Sequence, residues 1–363
     1  MDVAPHAAET TDAPVTGDQG DIEGIDRGAV TGWLASQVAG SVAPFTFELI
    51  AGGRSNLTYR VTDAAGHAFA LRRPPVSHVL ATAHDMAREH TIISALQPTG
   101  VPVPRTLGLC TDPDVNGAPF YVMSFVEGHI LRDEAASSKV SEAVRARASD
   151  SLVDTLAKLH AVDVDAVGLG EFARKEGYIA RQLKRWHGQF EQSTLDGEPG
   201  PTVIDRAWEE LSAKIPDQQG ATIVHGDYRL DNTVLDEQGD VVAILDWEIC
   251  TLGDPLADLG LLLVYWAEMD DDNQAVLGVA PTALPGFATR DQLVERYAHA
   301  SGRDVSAVPY YKAFGIWKLA CILQGVYVRY AGGAAAGDRS GVDQFAEGVR
   351  RLGERALADV ESL

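Results

Sequence analysis

The sequence predicts an α+β protein built as two lobes, a small antiparallel β-rich N-terminal lobe and a larger, mostly helical C-terminal lobe. Three observations lead to this prediction. The chain has 363 residues, which exceeds the usual size of one domain. Short segments with strand character, separated by turn residues, fill residues 45–71. After Gly128, apolar residues recur at helical spacing over much longer segments.

The N-terminal lobe is expected to span residues 25–127. Residues 1–24 are polar and acidic, and we expect a disordered tail there because little apolar surface is available to offset the entropy of ordering. Val30, Leu34 and Val38 recur at helical spacing and indicate that ordered structure begins with a helix. The later segments are predicted as strands over 45–50, 58–62 and 68–71, one main helix over 83–96, and a strand over 120–123.

The C-terminal lobe is expected to span residues 128–363 and to consist mainly of helices. An insert of short strands over 223–245 interrupts them, and the turn 237–240 within it predicts a hairpin. The predicted helices cover about 141–161, 177–191 and 201–213, begin at 255 and near 290, and cover 309–330 and 342–360.

Composition excludes several classes of protein. Acidic residues number 52 against 30 basic ones, a net charge of −22, so we expect neither nucleic acid nor an anionic membrane as a partner. No apolar run is long enough to span a bilayer, and the first residues lack a signal-peptide pattern, so we expect a cytoplasmic protein. Cys110, Cys250 and Cys321 are too far apart for a zinc ribbon or a disulfide scaffold.

The most informative segment contains HGDYRLDN at 225–232, followed by DWE at 246–248. Asp227 comes after a short strand, and Asn232 lies where the chain enters the next one. Asp246 follows an apolar run, where a carboxylate has no solvation reason to be, and this favours ligand binding. Each residue alone is compatible with a turn cap or a strand end. Together their oxygen atoms suit Mg²⁺ and a hydroxyl proton.

This spacing resembles the kinase catalytic loop H-x-D-x-x-x-x-N with its downstream metal-binding aspartate. The HGD and DWE forms are similar to those of the aminoglycoside phosphotransferase family, kinase-like enzymes that phosphorylate small molecules. The resemblance implies a bilobal protein-kinase-like fold and transfer of the γ-phosphate of ATP, or alternatively GTP, to a hydroxyl group. It implies that Asp227 is the catalytic base, that Asn232 and Asp246 bind Mg²⁺, and that Arg229 lies near the transferred phosphate.

Two further polar residues have expected structural roles. In the family, the run D-P-x-x-D belongs to a helix behind the site, which implies that Asp258 accepts hydrogen bonds from the catalytic-loop backbone. A carboxylate on a helix surface is the alternative. His160 lies on the apolar stripe of its helix and is expected to be a packed core histidine.

The resemblance also implies that the N-terminal lobe supplies nucleotide contacts. A phosphate-covering glycine loop is expected between the first two strands, although an ordinary hairpin turn has the same composition. Its candidate residues are Gly52, Gly53, Ser55 and Asn56. A hinge over 123–126 is expected to contact the base, with a core methionine as the alternative for its first residue. The candidates there are Met123, Ser124 and Val126.

Arg72 stands where the kinase pattern has a phosphate-binding lysine on the third strand, because no lysine precedes Lys139. Arginine keeps the charge but has a planar geometry. Glu89, on the main helix of the lobe, is its expected partner. The alternative for both residues is a position on the exposed surface.

Further segments resemble one branch of the family, the kinase-like domains found beside or fused to acyl-CoA dehydrogenases. The similarity covers about residues 25–363 and is carried by segments 50–59, 71–75, 83–89 and 121–123. Arginine at the third-strand position is usual in that branch. The resemblance implies a hydroxyacyl-CoA as the phosphate acceptor, with enzymes of an acyl-CoA dehydrogenase pathway as partners.

Two other functions remain open. The acidic composition favours a polycationic aminoglycoside as the acceptor, whereas a CoA ester needs a basic patch. One helix offers residues for such a patch, although this composition is more typical of a solvated helix face: Arg181, Lys184, Arg185 and His187. A catalytically silent module that binds nucleotide or CoA is the third possibility, and the intact Asp227, Asn232 and Asp246 argue against it.

Overall fold

The structure is a computed structural model, which describes residues 22–51, 56–76, 85–198, 200–268, 271, 281–332 and 342–363. The chain forms two compact units, the first made of Met1–His84 and Leu107–Val122, the second of Asp85–Thr106 and Met123–Leu363. This division differs from the boundary expected after residue 127, because the main helix of the expected N-terminal lobe belongs to the second unit.

The described elements are, in chain order, α1 (Arg27–Gln37), β1 (Thr46–Ala51), β2 (Leu57–Thr62), β3 (Ala68–Arg73), α2 (Met86–Leu96), β4 (Thr106–Cys110), α3 (Pro113–Asn116), β5 (Phe120–Ser124), α4 (Glu134–Ser137), α5 (Glu142–His160), α6 (Tyr178–Gln192), α7 (Val203–Ala213), β6 (Thr222–Val224), β7 (Thr233–Leu235), β8 (Val241–Ile244), β9 (Thr251–Gly253), α8 (Leu256–Tyr265), α9 (Arg290–Ser301), α10 (Val308–Ala331) and α11 (Val342–Glu361). Short 3-10 turns cover Gln97–Thr99, Leu230–Asn232 and Pro281–Ala283.

The first unit is built on a five-stranded sheet with the order β1-β2-β3-β5-β4. The first three strands pair antiparallel, and Phe47, Val61 and Phe69 are cross-strand neighbours on its buried face. Helix α1 contributes Val30 and Leu34 to the same core. The apolar side chains at helical and at alternating spacing therefore build one core, as the sequence predicts.

The last residues of the expected tail are part of the first unit, whereas residues 1–21 lie outside the described residues. Ile22 packs against the core. The Glu23 carbonyl accepts a hydrogen bond from the Tyr59 hydroxyl, and the Gly24 carbonyl accepts one from the Arg73 guanidinium. Residues 22–24 are therefore held by the sheet.

Long helices make up most of the second unit. Helices α8 and α10 pack closely because Gly260 faces the backbone of Tyr311, where an added Cβ would lie 2.5 Å from the Tyr311 carbonyl carbon. No helix within the described residues is long and apolar enough to cross a membrane.

The predicted helices and the β7–β8 hairpin occur within a few residues of their expected bounds. The sequence did not reveal β4, β9, α3 or α4, which are at most five residues long. Such short segments contain too few residues for a period of 2 or 3.6 to be recognised. Strand β9 pairs with β6, more than twenty residues earlier in the chain, and no local pattern records that pairing.

Candidate active site

Strand β6 ends directly before a sharp turn that carries Asp227. The turn begins with buried His225 and continues with Gly226, whose φ of 86° lies in the left-handed region. A Cβ at Gly226 would lie 3.1 Å from the side chain of Ile249, so glycine serves both the backbone angle and the close packing. Asp227 is therefore placed by a strand end and a glycine turn.

A buried carboxylate holds this turn from behind. Asp258 of α8 accepts hydrogen bonds from the backbone N–H of His225 at 2.7 Å and of Gly226 at 2.8 Å. His160 lies 3.3 Å from the same carboxylate through Nε2, and its Nδ1 lies 2.7 Å from the Tyr297 hydroxyl. The expected roles of Asp258 and of His160 as a packed core residue are both confirmed.

His225 connects the Asp227 turn to the segment that carries Asp246. Its Nδ1 accepts the backbone N–H of Asp227 at 3.3 Å, and its Nε2 lies 2.9 Å from the carbonyl of Leu245. These partners place a ring proton on Nε2, because the Leu245 carbonyl can only accept a hydrogen bond. The ring also packs edge-on against Trp247, 4.8 Å away between centroids.

Asn232 is hydrogen-bonded directly to the candidate base. Its amide nitrogen donates to the backbone carbonyl of Asp227 at 2.9 Å and to the Asp227 carboxylate at 2.9 Å. The amide nitrogen therefore faces Asp227, which turns the amide oxygen to the other side. The five-residue spacing is bridged by the 3-10 turn Leu230–Asn232.

Asp246 joins the same network through the residue before it. The N–H of Leu245 donates to the carbonyl of Asn232 at 2.8 Å. Asp246 itself has a φ of 61°, which is uncommon for a residue with a side chain and persists only where its surroundings fix it. The hydrogen-bonded network therefore joins Asp227, Asn232 and the residue directly before Asp246.

The donor set fits a magnesium ion. An amide oxygen from Asn232 and a carboxylate from Asp246 are the hard oxygen ligands that Mg²⁺ prefers, and the ion normally completes its shell with water and substrate phosphates. Within the described ranges, no three side chains of His, Cys, Asp or Glu form a metal site by themselves. The pair of oxygen ligands is the arrangement that the catalytic-loop resemblance implies.

The electrostatics at Asp227 suit a proton acceptor. Burial raises the pKa of its carboxyl group, while the charges of Arg229 and Lys318 and the hydrogen bond from Asn232 oppose that rise. A higher pKa makes a carboxylate a stronger base. The guanidinium of Arg229 is paired with the carboxylate of Asp231 and lies 4.5 Å from the centroid of the Tyr265 ring.

Sequence reasoning missed Lys318, which lies on α10. Its ammonium donates to the carbonyl of Gly226 at 3.0 Å and lies 5.4 Å from the centroid of the Trp186 ring. Burial lowers the pKa of Lys318, and the charge of Asp227 opposes this effect. The only available signal was one lysine in an otherwise apolar helical stretch, which does not reveal its partner.

Of the predicted nucleotide-binding residues, Gly52, Gly53 and Ser55 lie outside the described residues. Asn56 and Arg72 belong to the first unit, where Arg72 lies opposite Thr58 in the β2–β3 ladder. Glu89 is buried on α2 in the second unit. The expected pairing of Arg72 with Glu89 stays a prediction.

The predicted hinge begins at the end of β5. Met123 is buried in that strand. Ser124 bonds to Arg105 twice, since its N–H donates to the Arg105 carbonyl at 2.8 Å and its hydroxyl accepts the Arg105 N–H at 2.9 Å. The N–H of Ser124 is therefore already used within the fold, and base contacts at Val126 stay a prediction.

The basic patch proposed for α6 is only partly available. Lys184 and Arg185 are exposed. Arg181 donates to the carbonyl of Arg174 at 2.7 Å, and His187 lies 2.9 Å from Asp205. The patch therefore reduces to two adjacent exposed cations.

Comparisons with known proteins place these features in context. A family model described as the phosphotransferase enzyme family matches residues 46–306. The protein named "Probable acyl-CoA dehydrogenase IBR3" of Arabidopsis thaliana is 34% identical over an alignment of 336 residues, and the match covers 87% of this chain and 40% of that protein. This chain therefore spans about two fifths of the length of that relative.

Two solved structures are similar over almost their whole length. One, from Ralstonia eutropha and provisionally assigned as an aminoglycoside phosphotransferase, is 30% identical, covers 93% of this chain and 98% of its own, and has a TM-score of 0.78. The other is an amicoumacin kinase in complex with AMP-PNP and Ca²⁺, with 15% identity, coverage of 91% and 94%, and a TM-score of 0.58. The fold is therefore kinase-like.

Proposed function

Because the chain belongs to the phosphotransferase enzyme family, we propose that it transfers the γ-phosphate of ATP to a hydroxyl group of a small molecule, and that this molecule is a hydroxyacyl-CoA. The observation that carries the proposal is the hydrogen-bonded network that joins Asp227, Asn232 and the segment of Asp246. A general base beside two oxygen ligands is what phosphoryl transfer requires of a protein.

The proposed reaction forms one bond and breaks one. Asp227 accepts the proton of the acceptor hydroxyl as that oxygen bonds to the γ-phosphorus, and the bond to the oxygen of the leaving ADP breaks. A magnesium ion held by Asn232 and Asp246 would neutralise charge on the phosphates. Asn232 holds the Asp227 carboxylate in place, and most of the rate enhancement is expected from such positioning.

Substrate class rests on the named relatives. The relative reported above is named as an acyl-CoA dehydrogenase, and this supports an acceptor from acyl-CoA metabolism, with enzymes of that pathway as partners. The structural neighbour from Ralstonia eutropha supports an aminoglycoside as the second candidate. Arg185 and Lys184 on α6 are exposed cations that favour the anionic CoA ester.

The test is a transfer assay with ATP labelled at the γ-phosphate, Mg²⁺ and a panel of hydroxyacyl-CoAs, aminoglycosides and a blank without acceptor. We expect label in a hydroxyacyl-CoA, and Asp227→Asn is expected to lower kcat by ~10²–10⁴. A wild-type kcat in Asp227→Asn would contradict the assignment of Asp227 as the catalytic base. Nucleotide binding with no transfer to any acceptor would favour the silent module instead.

A further inference from the structure

Two contacts bracket Asp246 and tie its loop to the segment that carries Glu89. Before Asp246, the N–H of Ile244 donates to the carbonyl of Pro102 at 2.9 Å. After it, Arg88 donates through Nη2 to the carbonyl of Cys250 at 3.0 Å. Arg88 and Pro102 both belong to the stretch Asp85–Thr106 of the second unit, so one stretch holds both flanks of the loop.

Arg88 is also held by Phe172. Its Nη1 donates to the carbonyl of Phe172 at 3.3 Å, and its guanidinium carbon lies 3.7 Å from the centroid of the Phe172 ring. Burial lowers the pKa of Arg88. Removing this group from water is costly, and the two carbonyls and the ring face compensate for it. A lysine cannot reproduce a planar group that bridges two carbonyls while stacking on a ring.

The loop needs such support because Asp246 has a left-handed backbone. A residue with a side chain keeps this conformation only when its neighbours over-determine it. The catalytic loop supplies one set of bonds, from Asn232 and His225 to Leu245. Arg88 supplies a side-chain hydrogen bond on the far side of Asp246, to the carbonyl of Cys250.

We propose that Arg88 is a positioning residue for phosphoryl transfer, which holds helix α2 and the Asp246 loop as one rigid piece. Glu89 follows Arg88 in the chain, so this link fixes the candidate nucleotide-aligning carboxylate relative to the candidate metal ligand. The inference rests on the proposed function for the roles of Glu89 and Asp246, but the link itself is a property of the second unit.

The kinetic test compares Arg88→Met and Arg88→Lys with the wild-type chain. Arg88→Met keeps an apolar stem over Phe172 and loses both hydrogen bonds. We expect the KM for MgATP to rise ~10–100-fold, the usual cost of losing a residue that orients a metal ligand, while the KM for the acceptor stays unchanged. Arg88→Lys should recover only part of the loss. Arg206→Met removes a largely exposed arginine on α7 and is the matched control.

A wild-type KM for MgATP in Arg88→Met, or an equal rise in both KM values, would overturn the proposal. A second readout does not need activity. Hydrogen exchange measured without nucleotide should become faster in two segments together, α2 and residues 246–253. Faster exchange in only one of them would show that they are not linked.

Hydrogen exchange also distinguishes failure of the proposed phosphoryl transfer from failure of the proposed link between α2 and the Asp246 loop. If no acceptor is phosphorylated, the proposed function fails while the link between α2 and the loop is still measured. If Arg88→Met does not fold, Phe172→Leu removes the stacking surface and leaves the guanidinium in place. That variant should show the same paired change in exchange with a smaller amplitude, and the absence of any change would contradict the proposal.

Discussion

At the scale of single residues, buried side chains from α8 and α10 hold the turn that carries Asp227. Asp258 accepts the N–H groups of His225 and Gly226, and Lys318 donates to the Gly226 carbonyl. The two side chains thus provide hydrogen-bond partners for both the N–H and the carbonyl of Gly226. A buried ion is retained only where such bonds repay its desolvation.

Removing the Lys318 ammonium is expected to lower kcat. Lys318→Met keeps the volume of the stem but leaves the Gly226 carbonyl without its donor and removes a charge near Asp227. We expect kcat to fall ~10–100-fold, because a small displacement of a reacting group has effects of this size. The measurement is steady-state phosphoryl transfer with an unfolding curve for each variant.

Lys312→Met is the control for that experiment. Lys312 lies on the same helix, 4.0 Å from Asp359 on α11, and has no part in the catalytic turn. Its kcat should equal that of the wild-type chain. Equal losses in the two variants would mean that the helix, and not the contact with Gly226, is responsible.

The sequence predicted the residues of the site better than their partners. Asp227, Asn232 and Asp246 were identified because a resemblance fixes their spacing, and Asp258 followed from the same pattern. Lys318 and Arg88 were missed because their partners are backbone carbonyls far along the chain. A carbonyl is present at every residue, so no residue type in the sequence marks it as an acceptor.

At the scale of elements, short strands position the site while long helices support it. Strands β6 and β9 pair over three residues each, and β7 and β8 form the hairpin between them. Such strands are marginal alone. Asp258 of α8 and Lys318 of α10 bond to the backbone of the turn that follows β6, and His160 of α5 lies 3.3 Å from the Asp258 carboxylate.

Two glycine substitutions test how tightly these elements pack. A Cβ at Gly253 of β9 would lie 2.3 Å from the Tyr178 ring, which cannot move aside easily because the residue is buried. Gly253→Ala is expected to destabilise the fold by ~1–3 kcal/mol through overpacking. Gly188→Ala on α6 meets nothing within 4 Å and should stabilise the helix by ~0.5–1 kcal/mol.

Chemical denaturation of the three proteins gives the comparison. A destabilised Gly188→Ala would mean that α6 is packed differently from the structure. A Gly253→Ala variant as stable as the wild-type chain would mean that Tyr178 and β9 can separate at little cost, contrary to their close contact.

At the scale of the whole molecule, the net charge of −22 is a poor guide to the surroundings of the candidate base. The charged groups that act on Asp227 include the cations Arg229 and Lys318. The net negative charge of the chain is therefore weak support for a polycationic acceptor, because cations surround the candidate base. Family membership and the kinase-like fold, both predicted from motifs, are confirmed by the matching family model and by the similar structures.

Acidification is expected to destabilise the second unit through His160 and Asp258. Burial lowers the pKa of His160. Burial alone would raise the pKa of Asp258, but hydrogen bonds and the neighbouring imidazoles lower it overall. Both groups bind protons less readily folded than unfolded, so stability is lost as pH falls, first below the unfolded histidine value of ~6.5 and then near the folded pKa of Asp258.

The midpoint of thermal unfolding, measured between about pH 7.5 and 5, tests this sign. It should fall on acidification in the wild-type chain and fall less in His160→Gln, which cannot take up the proton. His299→Gln removes an exposed histidine of α9 and should behave as the wild-type chain. Parallel curves for wild type and His160→Gln would contradict the assignment.

The left-handed backbone at Asp246 has a cost that the chemistry alone justifies. Glycine adopts that conformation without steric penalty, so the fold by itself would be better served by a residue that has no carboxylate at all. Thermal stability and catalytic activity therefore favour different residues at position 246. Selection of variants for thermostability alone would therefore favour inactive substitutions at this position.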